Sequence, residues 1–281
     1  MIPHQNDCNF SFPSSIEGMS FKPSLVHNYR QIFLCGGSGN LQKCLTFKNG
    51  NWSNHSDLNE KRRYATAIFM QKGIYIFGGS ESPTTWEWLP KGNTSWQMGN
   101  ERIPYPGFYM GCGIRISANE LLLIGGKYTE KQILKFNTNT NKFEKLTQTL
   151  EYGRNYHTCI KFKNTIIVSG GYSYTNVTAS TEILKLKDLS STTNAGMDMK
   201  VGREGHGLVV VYHHNKLTLL AIGGDNGVRN GRNYVKWTNF DTIEIWHHAE
   251  KNWSLAKDLK LLKPTTSFGF LSVPTRLVCS P

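Results

Sequence analysis

Residues 73–79 read GIYIFGG, a short apolar run that ends in two glycines. The arrangement occurs five times along the 281 residues, with the glycine pairs at Gly36-Gly37, Gly78-Gly79, Gly125-Gly126, Gly170-Gly171 and Gly223-Gly224. The runs QIFLC, GIYIF, LLLI, TIIVS and TLLAI are too short for helices, so each predicts a buried strand that ends where glycine permits a positive φ. Successive pairs are 42, 47, 45 and 53 residues apart, which indicates a repeat array.

The sequence around each glycine pair repeats as well. Upstream stand RRYAT at 62–66, RNYHT at 154–158 and REGHG at 203–207. Downstream come two separated aromatics, such as Trp246 with Trp253. Four short strands in about 45 residues make one blade of a β-propeller, because such a unit buries its faces only when neighbours stack on it.

With these residues the chain resembles the kelch-repeat propellers, in which a diglycine, a separated aromatic pair and an Arg-x-x-His lead recur. The likeness covers residues 22–272, although the first and third repeats lack the lead motif. It implies an all-β, kelch-type β-propeller that forms one domain over residues 1–281. The five repeats span residues 22–55, 62–98, 105–146, 154–199 and 203–255.

The two chain ends predict a sixth four-stranded blade. Residues 264–272 look like another first strand and residues 275–279 like a second, without a diglycine. Residues 264–281 and 1–20 would then build one composite blade, because closing the ring removes exposed strand edges. Five blades with a loose tail are the alternative.

The net charge is strongly positive. Lys and Arg number 32 against 20 Asp and Glu, which gives +12. The basic residues are scattered, so a generally solvated surface is the preferred explanation, and a site for an anionic glycan is the alternative. No nucleic-acid motif accompanies the charge, so we expect no binding to nucleic acid. No apolar run reaches about eighteen residues, so we expect no segment that spans a membrane. We also expect a monomer.

Six cysteines and six sequons point to a secreted glycoprotein. We expect disulfides between Cys8 and Cys279 and between Cys35 and Cys44, whereas Cys112 and Cys159 read as buried thiols in equivalent first strands. Asn-x-Ser/Thr occurs at Asn9, Asn51, Asn54, Asn93, Asn176 and Asn252. No signal peptide is visible at the N-terminus, so a cytoplasmic protein is the alternative.

The sequence predicts no enzyme, cofactor or metal. Kelch propellers include copper oxidases resembling galactose oxidase, whose ligand types here would be His157, His206, Tyr109 and Cys159. Both histidines stand in the repeated lead, which favours a structural role. No nucleophile elbow or phosphate loop is present. A carbohydrate-active or oxidase enzyme of the kelch type remains the alternative.

Binding residues are expected on one face, where the loops after the diglycines meet the lead segments. The longest loop, residues 225–237, mixes Arg, Tyr and Trp, the types enriched at binding hot spots. We therefore expect a protein partner, or an acidic glycan, on this surface. The predicted contact residues are Arg62, Arg63, Tyr105, Arg154, Tyr172, Tyr174, Arg203, Asp225, Arg229, Arg232, Tyr234 and Trp237. Alternatively the loop is a flexible insertion, and the lead arginines only link adjacent blades.

Overall fold

The computed structural model describes residues 19–21, 23–173, 176–193, 195–213, 216–230, 233–236 and 238–265. They form five four-stranded antiparallel sheets, each with its strands in chain order. These sheets are the blades of a β-propeller. Blade 1 comprises Ser24–His27, Ile32–Cys35, Cys44–Lys48 and Asn51–His55; blade 2 comprises Thr66–Met70, Gly73–Phe77, Trp86–Pro90 and Gln97–Met98; blade 3 comprises Cys112–Arg115, Glu120–Ile124, Gln132–Asn137 and Lys142–Thr149; blade 4 comprises Thr158–Phe162, Thr165–Ser169, Thr181–Lys185 and Ser191–Thr193; blade 5 comprises Gly207–His213, Lys216–Ile222, Thr242–His247 and Asn252–Lys260.

Smaller elements lie outside the blades. Three two-stranded ribbons pair Met19–Phe21 with Ser38–Gly39, Tyr172–Ser173 with Asn176–Val177, and Val228–Asn230 with Asn233–Lys236. A single 3-10 turn covers Ala195–Met197. Within the described ranges, no helix is long and apolar enough to cross a membrane.

The blades are held together by packing between neighbours. First strands contact one another in order from blade 1 to blade 5, so these strands line the axis. Between blades 2 and 3, the rings of Trp86 and Phe136 lie 4.8 Å apart and Phe143 packs on Phe136 at 4.7 Å. The recurring aromatics therefore fill the space between sheets, which is the packing expected of propeller blades.

The described part of the chain forms five blades rather than the six we expected. Most of the composite blade, residues 266–281 and 1–18, lies outside the described residues. Residues 19 and 20 do not belong to an outer strand, because Met19–Phe21 pairs with Ser38–Gly39 of the first diglycine loop. This segment is the lead into blade 1, and the alternating pattern of the N-terminus did not distinguish a lead from an outer strand.

Two disulfides are present, of which we predicted one. The bond between Cys35 and Cys44, register partners on neighbouring strands, is confirmed. The prediction of free thiols at Cys112 and Cys159 is wrong, because these two residues are bonded to each other. Cys112 opposes the last residue of its second strand, whereas Cys159 opposes the second-to-last. Successive strand residues point to opposite faces, so this one-residue offset lets the two side chains meet between blades. Cys8 and Cys279 lie outside the described residues.

Candidate binding site

The glycine pairs fix the spacing between blades. The second glycine of each pair donates its N–H to the lead of the next blade, for example from Gly79 to the Phe108 carbonyl at 3.0 Å and from Gly171 to that of Arg203 at 2.7 Å. A Cβ on Gly78 would lie 1.7 Å from the Phe108 carbonyl oxygen, with φ at 66°. Only glycine tolerates both the approach and this backbone conformation.

The lead arginines are buried ion-pair residues. Arg62 Nε donates to Glu87 Oε1 at 2.8 Å, and Arg203 Nε donates to Glu244 Oε1 at 3.1 Å. Arg154 makes the equivalent pair with a carboxylate of its own blade at 3.6 Å. The Nη1 atoms donate to backbone carbonyls, as Arg62 does to Gly78 at 2.7 Å. These donors serve the blade, so we leave Arg62, Arg154 and Arg203 out of the candidate surface.

Blade 3 shows that the ion pair is a packing device. Its lead carries Phe108 at the position of the arginine, and its third strand carries Leu134 at the position of the glutamate. Both side chains are buried in one apolar cluster. Blades 2 to 5 therefore have both the buried arginine and its glutamate or neither of them. This is expected, because a buried charge without its partner is costly.

Three positions in each of blades 2 to 5 lie at one end of the propeller axis. The residue after the lead arginine accepts a hydrogen bond from the residue after the diglycine, as in Ser80 to Arg63 at 2.8 Å and Lys127 to Tyr109 at 2.9 Å. The next lead residue bonds to its equivalent in the neighbouring blade. We call these positions the loop-face ring: Arg63, Tyr64 and Ser80 in blade 2; Tyr109, Met110 and Lys127 in blade 3; Asn155, Tyr156 and Tyr172 in blade 4; Glu204, Gly205 and Asp225 in blade 5.

A continuous chain of backbone hydrogen bonds supports this ring. The N–H of Met110 donates to the Tyr64 carbonyl at 3.1 Å, that of Tyr156 to Met110 at 2.7 Å, and that of Gly205 to Tyr156 at 3.0 Å. Four blades thus hold four equivalent residues around the axis. The side chains of Tyr64, Met110 and Tyr156 are presented from a fixed backbone, which lowers the entropy lost when a partner binds.

The loop-face ring is where the repeats differ most. The glycine pairs recur in every blade. By contrast, the residue that follows the lead arginine, or Phe108 in blade 3, is Arg63, Tyr109, Asn155 or Glu204 in blades 2 to 5. The residue after the diglycine is likewise different in each of blades 2 to 5. Packing alone does not require such variety on a rigid repeated scaffold, so we identify the ring as the candidate binding site.

Tyrosines and cations dominate one side of the ring. The rings of Tyr64 and Tyr156 meet edge to face at 5.5 Å, and the Arg63 guanidinium lies 5.2 Å from the Tyr64 centroid. Tyr109 meets Tyr128 at 5.9 Å in the same manner. Lys127 lies 5.6 Å from the ring centroid of Tyr128, which is 65% exposed. Cation–π pairs of this kind hold aromatic faces in place.

Three of these residues have a strained backbone. Tyr64, Tyr128 and Tyr156 have φ values of 62°, 67° and 54°. Left-handed conformations are rare for bulky residues, and they concentrate at functional sites. Blade 5 has Gly205 at the position of Tyr64 and Tyr156, with φ at 60°. The tyrosines therefore occupy a position where glycine would relieve the strain.

The opposite side of the ring is acidic and buried. Glu204 and Asp225 exchange backbone hydrogen bonds at 2.9 and 3.0 Å, and each side chain is at most 3% exposed. Asp225 also bridges Asn239 at the far end of the long loop. Asp225 thus lies at the base of the loop, which it connects to the lead of blade 5.

Only part of the predicted binding set converges. Arg63, Tyr172 and Asp225 belong to the ring, and Tyr105, 91% exposed, stands further out on the lead of blade 3. Arg229 and Tyr234 are register partners in the ribbon of the long loop. The remaining predictions, Tyr174, Arg232 and Trp237, lie outside the described residues.

Five residues at or beside the ring were not among the predicted contacts: Tyr64, Tyr109, Tyr128, Tyr156 and Lys127. Three of these tyrosines lie within leads and Lys127 directly follows a diglycine, so alignment of the repeats on the glycines would have placed these four together. Burial and the hydrogen bond with Tyr128 hold the pKa of Tyr109 well above its usual range. Its hydroxyl therefore stays protonated even at alkaline pH and remains a hydrogen-bond donor as well as an acceptor.

The residues considered for copper do not form a copper site. Cys159 is bonded to Cys112, and His206 Nε2 lies 3.0 Å from Ser169 Oγ, a buried contact between blade 4 and the lead of blade 5. Burial lowers the pKa of both His157 and His206 to about 3, so both are neutral at physiological pH. In the part of the chain that is described, no three His, Cys, Asp or Glu side chains converge as metal ligands would.

Comparisons with known proteins bear on the fold alone. No protein-family model matches the chain, and no curated protein matches it. Its fold is similar to the solved structure of YjhT, with a TM-score of 0.72 and 15% sequence identity. The similarity covers 88% of this chain and 86% of YjhT. At this identity the comparison establishes a β-propeller of nearly the same extent.

Proposed function

We propose that the protein is a noncatalytic kelch-type propeller that binds a protein partner through the loop-face ring. The observation that carries this proposal is that ring positions which differ from blade to blade bring together Tyr64, Tyr109 and Tyr156 with two adjacent cations, Arg63 and Lys127. Tyrosine and arginine contribute the most energy at protein interfaces, because they bury a large area at low entropic cost. The left-handed backbone of Tyr64 and Tyr156 supports a role beyond packing.

The contact surface extends outward from the ring in two directions. Tyr105 projects from the lead of blade 3, and loop 225–237 begins at Asp225 of the ring. The arginines and aromatics of that loop, Arg229, Arg232, Tyr234 and Trp237, then form the second half of the interface. A central aromatic group with polar surroundings matches the usual organisation of protein interfaces.

Two wider features complete the proposal. The N–H of Gly224 donates to the Thr265 carbonyl at 2.7 Å, the bond that other diglycines make with the lead of the next blade. This bond supports a sixth blade that follows Thr265. Two disulfides suit an oxidising compartment, so we assign the protein to the secretory pathway.

Site-specific photo-cross-linking tests the interface. A benzophenone amino acid replaces Tyr105, which lies on the loop face, or Tyr29, which is 53% exposed on the opposite face. Each protein is incubated with the cell-surface and secreted proteins of the source organism. We expect a discrete adduct from position 105 and none from position 29. The adduct should disappear when Arg63→Ala and Tyr128→Ala are added.

Two outcomes would reject the proposal. Identical adducts from both positions, or an adduct that persists in the Arg63→Ala and Tyr128→Ala protein, would place recognition elsewhere. Turnover of a sugar or an alcohol by the purified protein would replace the binding function with the enzymatic alternative. Thermal denaturation of each variant checks that the blades remain folded.

A further inference from the structure

The face opposite the loop-face ring is formed by hairpins between the first and second strands and between the third and fourth strands. We call it the hairpin face. In blades 1 and 2 these hairpins comprise residues 28–31, 48–51, 71–72 and 90–96. They carry four exposed cations and no Asp or Glu: Arg30, Lys48, Lys72 and Lys91. The positive charge is therefore segregated on this side of the two blades.

Three of the cations surround one groove. The groove lies between blades 1 and 2 and has a volume of about 270 Å³. Arg30, Lys48 and Lys91 line it from three separate hairpins. Its floor is apolar and includes Phe69 and Leu89. A groove with cations at its rim and apolar side chains at its floor suits a ligand that carries anionic groups at its periphery and has ring faces of lower polarity.

Rigid turns hold the rim in place. The side-chain oxygen of Asn28 accepts hydrogen bonds from the N–H groups of Arg30 and Gln31 at 3.2 and 3.1 Å. The ring of Tyr29 meets Phe69 of blade 2 edge to face at 5.6 Å, which fixes this hairpin across the groove. A backbone bond from Lys91 to Lys72, at 2.8 Å, joins the hairpins of blade 2. The backbones of the hairpins that carry Arg30 and Lys91 are thus held in place.

A second cavity on the hairpin face is lined by cations together with the carboxylates that neutralise them. In blade 3, Lys135 and Lys142 line a cavity together with Glu120 and Glu144, and Lys135 pairs with Glu144 at 2.6 Å. The groove between blades 1 and 2 has no carboxylate in its lining. Among the described residues, its three cations take part in no ion pair within 4 Å.

We infer that the groove between blades 1 and 2 binds a linear sulfated polysaccharide. Arg30, Lys48 and Lys91 would contact sulfates on successive sugars, and the apolar floor would receive a pyranose ring. Charges on separate hairpins match a ligand with regularly spaced anions. Tyr29 is the one large hydrophobic residue that is exposed on the described hairpins of these blades, which is little for insertion into a lipid bilayer. The disulfides favour a compartment where sulfated glycans are the prevalent polyanions.

Calorimetric titration with a heparin dodecasaccharide tests the site. The test variant is Arg30→Gln, Lys48→Gln and Lys91→Gln in the whole protein. The control variant is Lys61→Gln, Lys131→Gln and Lys200→Gln, which removes the same charge from exposed positions on the loop face. We expect affinity to fall by about tenfold or more in the first variant and by less than about threefold in the second. The salt dependence should weaken only in the first.

Four results would overturn the inference. Equal losses in the two variants would show a general charge effect, and absence of heparin binding would remove the site altogether. A larger loss of binding to duplex DNA or to phosphatidylserine vesicles than to heparin would identify another polyanion. Asn93 lines the groove and begins a sequon, so an N-glycan found there by mass spectrometry would leave no room for the polysaccharide. The proposed interface on the loop face is unaffected by any of these results.

Discussion

Arg62 donates from Nε to Glu87 Oε1 across 2.8 Å, and both side chains are at most 1% exposed. The carboxylate also accepts the N–H of Asn59 at 2.7 Å, while the guanidinium donates to the Gly78 carbonyl at 2.7 Å. One ion pair thus connects the lead, the second strand and the third strand of blade 2. A buried pair with its hydrogen bonds satisfied is costly to break from one side.

Glu87→Leu alone should lower the free energy of unfolding by about 3–5 kcal/mol, because it leaves the Arg62 guanidinium buried without a counter-charge. The double variant Arg62→Phe and Glu87→Leu copies blade 3, so most of the loss should be recovered. Urea denaturation of both single variants and the double variant gives the coupling energy. If the double variant is no more stable than Glu87→Leu, the equivalence with Phe108 and Leu134 is wrong.

The blades could be predicted from sequence because glycine and apolar runs are required wherever strands end against a neighbouring blade. The direction of side chains in the leads could not. Arg62 and Arg63 are adjacent, yet Arg62 is buried and Arg63 reaches the ring, because the lead is not a regular strand and has no fixed alternation. The bond between Cys112 and Cys159 escaped for a related reason, since it depends on a one-residue offset between two blades.

The free energy of unfolding should decrease as the pH is lowered, because two histidines are buried in the neutral form. His157 and His206 have pKa values lowered by burial to about 3, against 6.5 in the unfolded chain. The unfolded state takes up their protons first, so this contribution is present above pH 6.5 and is lost as pH falls toward 3. Each histidine should lower the free energy of unfolding by about 1.4 kcal/mol for every unit by which the pH falls within that window.

Urea denaturation between pH 6.5 and 5, where carboxylates contribute least, measures this slope. His157→Ala and His206→Ala together should flatten it, and Ala65 shows that alanine is accepted at the equivalent position of blade 2. The control His55→Ala should keep the steep slope, because both buried histidines remain. A slope that is the same in the double variant and the wild type would contradict the assignment.

The contact between blades at a diglycine can be separated from backbone strain. Gly78 and Gly92 both have positive φ, at 66° and 90°, but a Cβ on Gly92 would meet nothing within 4 Å. Gly92→Ala should therefore cost about 1–2 kcal/mol from the left-handed conformation alone. Gly78→Ala should cost more, because its Cβ would force the Phe108 carbonyl away. Equal midpoints in thermal denaturation would mean that the blades adjust freely at this contact.

The two disulfides should differ in their contribution to stability. The residues of the Cys112–Cys159 bond are 47 apart in sequence, and those of the Cys35–Cys44 bond are 9 apart. The chain-entropy model gives about 4 kcal/mol for the longer loop and about 2.5 kcal/mol for the shorter one. Double alanine variants of each pair, compared by urea denaturation, test this order. Finding Cys112 and Cys159 as free thiols in non-reducing peptide maps would disprove the bond between blades.

Removal of a strained tyrosine should separate binding from folding. Tyr156→Gly relieves a left-handed residue, worth about 1–2 kcal/mol, and loses the ring contact with Tyr64, worth about 0.5–1.5 kcal/mol. The free energy of unfolding should therefore change by less than about 1 kcal/mol, while the photo-cross-link from position 105 weakens strongly.

Tyr29→Gly is the matched control, because Tyr29 is also a tyrosine with a left-handed backbone, with φ at 65°, and packs edge to face on Phe69 at the face opposite the ring. It should change the free energy of unfolding by a similarly small amount and keep the cross-link. Retention of the cross-link in Tyr156→Gly would show that Tyr156 does not contact the partner. A loss of stability above about 2 kcal/mol would show instead that the tyrosine serves the fold, since relief of its backbone strain should offset most of the lost ring contact.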